Sequence, residues 1–251
     1  DGEGSTKVAG GSDPEAAPGE DANGEGDGAA EGGDDPWGYR RGDPADLGMT
    51  PEQMKAYAIA QGDPEGGDFT LDEALVDLPG RGSLWVEMQT SQGMIRCRLF
   101  DTQTPITVAN FVGLARGLRP ALDEEQEAWT KRPYYDGVAF HRVIPGFVIQ
   151  GGDPTGTGRG DTGYVIADEF VEGLLHEEPD MLSMANRGPG TGGGQFFVTL
   201  APLPHLDGKH TVFGKCDDAG IAVAEKIAAM RGPGDRPRTP QLIEHMVIVR
   251  R

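Results

Sequence analysis

From residue 83 onward the apolar and polar positions alternate with a period of two, the mark of half-buried strands. Leu84–Thr90 and Met94–Phe100 read as two strands joined by the turn Ser91-Gln92-Gly93, a hairpin. Along the second strand Arg96 and Arg98 face one way, and Ile95, Cys97 and Leu99 the other. The period then changes. Thr104-Pro105 opens a helix that carries Val108, Phe111, Val112 and Ala115 on one face and closes at Gly117. Short strand candidates follow at 137–143, 147–150, 181–185, 195–199, 211–215 and 242–250. A second helix begins near Asp218, turns Ile221, Ala224, Ile227 and Ala228 inward, and stops at Gly232-Pro233. Many short strands with only two well-formed helices predict a mainly β fold, a closed or nearly closed barrel capped by helices.

Ahead of residue 83 the pattern weakens. Thr50-Pro51-Glu52-Gln53 supplies a cap, a first-turn proline and a capping-box glutamine, and Met54, Tyr57 and Ala58 form a modest apolar stripe. Thr70–Leu75 is a second helical candidate, stopped by Pro79-Gly80, and both are expected to pack on the domain edge. The first 35 residues hold one Val and no other branched aliphatic or aromatic side chain. They cannot bury enough apolar surface to offset a backbone ordering cost of about 1–2 kcal/mol per residue. Residues 1–49 therefore read as a flexible acidic, Gly-rich tether, 50–82 as a short helical linker, and 83–251 as the folded domain.

Charge and cysteine content narrow the function classes. The 251-residue chain has a formal charge of -19, and residues 1–50, with 13 acidic and 3 basic side chains, carry about half of it. That sign excludes a general nucleic-acid clamp, which needs clustered Lys and Arg. No apolar run approaches the roughly 18–20 residues that span a bilayer. Two cysteines make neither a disulfide framework nor a four-thiolate metal site. Cys97 and Cys216 both face inward, Cys97 most simply as a small buried hydrophobe, and whether the two are free or bridged turns on a distance the sequence does not give.

Familiar catalytic patterns are missing. Gly156–Asp161 is turn-rich, but no Gly-Lys-Ser/Thr ends it, so it is no phosphate loop. The five histidines include no HExxH pair, there is no GxSxG elbow, and neither cysteine sits in a catalytic signature. The informative stretches are Phe140-His141-Arg142-Val143-Ile144-Pro145-Gly146-Phe147-Val148-Ile149-Gln150-Gly151-Gly152-Asp153, then Ser183-Met184-Ala185-Asn186, Gln195-Phe196-Phe197-Val198-Thr199 and Leu206-Asp207-Gly208-Lys209-His210-Thr211-Val212-Phe213-Gly214. In order and spacing they resemble the cyclophilin family of peptidyl-prolyl cis–trans isomerases, across about residues 83–251.

The resemblance implies an eight-stranded antiparallel barrel with two capping helices and an active groove on its outer face. Position by position, it makes Arg142 the catalytic arginine. Phe147, Val148, Phe197, Leu206 and His210 become the proline pocket, and Gln150, Ala185, Asn186 and Gln195 the peptide groove. His205 stands where many members carry a tryptophan and Val148 where a methionine is common, which leaves cyclosporin binding open. The charged insertion Ala121–Lys131 is expected to rim the groove, and Asp207-Gly208 to build a turn.

The residue chemistry agrees with this assignment. An X–Pro bond has only to be twisted over a resonance barrier of about 18–20 kcal/mol. Arg142 can bond the lone pair that the prolyl nitrogen regains during rotation, so no cofactor is required. The expected partners are proline-containing chains, unfolded or newly exported, and the protein is expected to be a monomer. Two rival readings are a module that binds proline segments without turnover, and a scaffold whose residues 1–82 dock a partner. The chain opens at Asp1, and its acidic start resembles the spacer behind the anchoring cysteine of exported bacterial lipoproteins. Export to the periplasm or envelope, with a lipid anchor upstream, is the expectation; a cytoplasmic protein is the alternative.

Overall fold

The hairpin forms as the alternation requires: β1 (Leu84–Thr90) pairs with β2 (Gly93–Leu99), setting Val86 opposite Cys97 and Met88 opposite Ile95. The structure is a computed structural model and describes residues 50–60, 62–123 and 127–251, so the expected tether lies outside the described residues. After the helix α3 (Pro105–Ala115) comes a small hairpin, β3 (Ala121–Asp123) and β4 (Ala128–Thr130). The remaining strands are β5 (Arg142–Ile144), β6 (Val148–Gly151), β7 (Met181–Met184), β8 (Phe196–Thr199), β9 (Val212–Cys216) and β10 (Ile243–Arg250). Eight strands form one antiparallel sheet in the order β10-β1-β2-β9-β7-β8-β6-β5.

One strand expectation needs correction. The candidate at 137–143 becomes a strand only from Arg142. Gly137 adopts the left-handed conformation at φ 79°, which takes the chain out of an extended course. The stretch after it instead crosses the seam between the sheet's two edges. Gly137 N donates to Ile243 O, Phe140 N to Gln241 O and Ile243 N to Val138 O, with Ala139 bridged to Leu242. The barrel is thus nearly closed, stitched where β5 and β10 approach and not zipped strand to strand.

Alternate residues fill the inside of the curl. Phe111 of α3 enters from one end, its ring centroid 5.1 Å from Tyr135, 5.1 Å from Phe213 and 5.5 Å edge-on from Phe196. A helix α4 (Asp218–Ala229) buries Val223, Ala224, Ile227 and Ala228. The helix α3 is not capped by the side chain of Thr104, which bonds Phe100 O; Glu169 accepts from Ile106 N and Thr107 N in its place.

Both linker helices are present. In α1 (Pro51–Ala60) Thr50 and Gln53 exchange the capping-box bonds, and in α2 (Leu71–Ala74) Thr70 and Glu73 do the same. Ala58 and Ala74 are fully buried, and Arg116, just after α3, donates to Ala74 O and Val76 O. Cys97 and Cys216 lie directly opposite each other on β2 and β9 and are joined by a disulfide. Alternation sets which way each thiol faces; only the register between distant strands sets the pairing.

Candidate functional site

Strand register assembles a row across four strands: Arg142 on β5 stands opposite Gln150 on β6, Gln150 opposite Phe197 on β8, and Phe197 opposite Ser183 on β7. Phe197 of this row also belongs, with Val148, Ala185, Leu203 and Leu206, to a small buried cluster on which Phe147 packs. Two histidines hold the Phe197 ring. His176 stacks parallel at 6.0 Å, and His210 meets it edge-on at 5.4 Å. His205 stacks parallel on Phe147 at 6.1 Å, and the Arg142 guanidinium sits 5.5 Å from the Phe147 ring centre.

Above the cluster opens a cleft of about 470 Å³, lined by Arg142, Phe147, Asn186, His205, Leu206 and His210 from the sequence-derived set. Val148 and Phe197 lie under its floor, both fully buried. A tighter recess with room for about one water adjoins it, lined by Gln150, Ala185, Asn186 and Gln195 beside Gly193 and Gly194. Sequence reasoning had not singled out Phe170, Arg187, Pro189 or Lys209, which complete the larger wall. Of these only Lys209 lay within a stretch quoted above, Leu206–Gly214, and Phe170, half exposed in the structure, carried no signal in the sequence.

The recess is held by side-chain amides. Gln150 Nε2 donates to Gln195 Oε1 at 3.1 Å, and Gln195 Nε2 reaches Gly158 O and Gly160 O, each at 3.1 Å. Asn186 Nδ2 donates to Lys209 O at 2.7 Å. The turn-rich loop 153–160 winds around one carboxylate: Asp153 Oδ2 accepts from Gly158 N at 2.6 Å and Gly160 N at 3.2 Å. A Cβ on Gly160 would collide with that carboxylate, so glycine is required there. Burial works against the charged form of Asp153, and bonds from Thr155, Gly160 and Gly158 outweigh it and hold the carboxyl below its usual range.

Burial also lowers the Arg142 pKa, opposed by the nearby Asp235 carboxylate. It drives His210 down to about 4, against a bond between Nδ1 and Met184 O, so this ring is neutral near pH 7. Asp207 does more than shape a turn. Its Oδ1 accepts from the His176 backbone N–H and lies 2.8 Å from His176 Nδ1, while His176 Nε2 lies 3.0 Å from Ser183 Oγ. The support under Phe197 is thereby pinned.

The insertion expected to rim the groove lies elsewhere. The β3–β4 hairpin stacks Trp129 on Tyr164 and borders a separate cavity of about 260 Å³. Among the described residues, the linings of this cavity and of the recess share Gly160 and Asp161. The pairing of Leu122 N with Thr162 O accounts for this, tying the hairpin to the far side of the loop. Among the described residues no cluster of His, Cys, Asp and Glu could hold a metal ion, and no helix is long and apolar enough to cross a membrane.

Comparison with known proteins gives one answer from three directions. Residues 85–248 match the family model described as cyclophilin type peptidyl-prolyl cis-trans isomerase. Peptidyl-prolyl cis-trans isomerase A of Mycobacterium tuberculosis is 49% identical over 163 residues, covering 64% of this chain and 90% of that protein. Peptidyl-prolyl cis-trans isomerase B of Streptomyces anulatus is 46% identical over 166 residues, covering 66% of this chain and 93% of that one. The crystal structure of a cyclophilin-type isomerase from Cryptosporidium parvum superposes with a TM-score of 0.57 at 32% identity, covering 67% of this chain and 99% of that one. An apolar cleft with an arginine at its wall, on a stitched eight-stranded sheet, thus belongs to a chain that is a member of the cyclophilin-type peptidyl-prolyl cis–trans isomerase family.

Proposed function

We propose that the 470 Å³ cleft is where this chain turns over X–Pro bonds, with Arg142 as the catalytic donor. The observation that carries the proposal is Arg142 itself: an arginine whose side chain is only 16% exposed, set at the wall of an apolar cleft beside Phe147. A proline ring rests on Phe147 and Leu206, above the Val148–Phe197 floor. Rotation breaks amide conjugation and localises a lone pair on the prolyl nitrogen. Arginine stays charged and offers several donors to that nitrogen, and such a donor contributes about 3–4 kcal/mol to the twisted state. Asn186, Gln150, Gln195 and the backbone of Ala185 grip the flanking peptide, so that the twisted amide is bound more strongly than either planar isomer. His205 closes the rim by stacking on Phe147.

The test is cis-to-trans isomerisation of a short X–Pro peptide by the wild type and by Arg142→Ala. The wild type should accelerate it, and the variant should lose at least about tenfold while keeping its fold, the loss of one well-placed donor. A wild type that binds proline peptides without turnover would place the chain among binding modules.

The clients are proline-containing chains, unfolded or newly exported, and the protein works as a monomer in a chaperone-like role. We place it in a bacterial periplasm or envelope, held by a lipid anchor upstream of Asp1. The disulfide between Cys97 and Cys216 favours an oxidising compartment over the cytoplasm.

A further inference from the structure

We infer that Asp235 is a positioning residue that holds Arg142 ready for the twisted amide; the inference rests on Arg142 being the catalytic donor. After α4 the chain makes a tight turn through Arg231-Gly232-Pro233-Gly234-Asp235-Arg236, in which Gly234 at φ 63° and Asp235 at φ 59° are both left-handed. Glycine adopts that conformation freely, whereas an aspartate does so at a cost. The turn is fastened on every side. Gly232 N donates to Arg236 O at 2.6 Å, and Arg238 N to Met230 O at 2.8 Å. The Arg236 guanidinium reaches Gly156 O at 3.0 Å and Thr157 O at 3.2 Å, tying the turn to the loop wound around Asp153.

Held there, the Asp235 carboxylate divides its two oxygens between two arginines. Oδ1 accepts from Arg231, at 2.8 Å from Nε and 2.6 Å from Nη2, while Oδ2 lies 3.9 Å from Arg142 Nε. Arg231 is half exposed and serves as the outer clamp; Arg142 is the more buried partner. An anion on the Nε edge of a guanidinium restricts its last torsions, and Arg142 lines the cleft. A donor that must meet a lone pair appearing only mid-rotation has to be in place beforehand, because reorganising it during the reaction forfeits its benefit. This gives a physical reason for a carboxylate at a left-handed position that suits glycine.

Asp235→Gly separates positioning from folding, since it keeps the backbone conformation and removes only the carboxylate. The expected result is a Tm equal to or above the wild type, with kcat lower by roughly 3- to 10-fold at a nearly constant KM, the size of loss that misplaced catalytic groups produce. Asp235→Asn, which preserves shape, should move kcat in the same direction. In an Arg142→Ala background, Asp235→Gly should cost nothing further, because the group it positions is gone. Wild-type kcat in both Asp235 variants, or an equal fold-loss with and without Arg142, would overturn the inference. Full activity of Arg142→Ala alone would instead overturn the assignment of Arg142 on which it rests.

Discussion

The helices at the two ends of the sheet are of nearly equal length and are held by opposite means. In α3 nine of eleven residues are buried, but in α4 only five of twelve. The difference is a roof. Phe69 lies against Gly113 of α3, where a Cβ would overlap its ring, and Leu71, Leu75 and Leu78 pack alongside on the core. The Arg119 guanidinium spreads between the Tyr164 ring, at 3.8 Å, and the Phe69 ring, at 5.5 Å. Among the described residues no comparable layer covers α4, and its N-terminus is pinned at points instead. Asp217 N donates to Arg96 O, Asp217 Oδ1 accepts from Gly220 N at 2.7 Å, and Cys216 just before it is bonded to Cys97. One end depends on apolar area contributed by residues well before the strands; the other depends on a few discrete anchors.

The strongest way to break this contrast is to remove the covalent anchor. The disulfide closes a separation of 119 residues, for which chain entropy gives about 5 kcal/mol. Cys97→Ala with Cys216→Ala should therefore lower stability by about that much in urea unfolding, and amides of α4 should lose hydrogen-exchange protection before those of α3. At the roofed end, Gly113→Ala should cost about 1–3 kcal/mol by thermal or chemical unfolding, since the added methyl has to displace Phe69. In a Phe69→Ala background the same substitution should cost much less, and that coupling would establish the roof as the cause. The smallest effect is expected from Asp217→Ala, about 1 kcal/mol for a lost N-cap, read as faster exchange confined to the first turn of α4.

The contrast also explains what could be read from the sequence. The resemblance carried by Phe140–Asp153, Ser183–Asn186, Gln195–Thr199 and Leu206–Gly214 assigned Arg142, the pocket residues and the groove amides, and it could be read because each motif is a local run of sequence. The capping box at Thr50 and Gln53 was legible for the same reason. What escaped depends on partners far away along the chain. Nothing near Gly137 announced that the next residues would bond to Gln241 and Ile243 and give up a ladder position. The pairing of Cys97 with Cys216 follows from the β2–β9 register, which no alternation specifies. The β3–β4 hairpin carries charges suited to a groove rim, but the bond from Leu122 N to Thr162 O carries it to a neighbouring cavity. Asp235 reads as an ordinary turn residue until the fold brings it to Arg142.

The stitched seam has a consequence for how such an enzyme meets its clients. An open β edge is a template on which any extended chain can add itself as a further strand, by backbone bonding that ignores sequence and leads to aggregation. Here the residues from Gly137 to Phe140 and from Gln241 to Ile243 occupy one another's hydrogen bonds along the gap between β5 and β10. A passing polypeptide finds no such template along that stretch. In the function proposed above, what holds it is the cleft, where recognition depends on a proline and ends when the ring leaves, so capture stays brief and reversible.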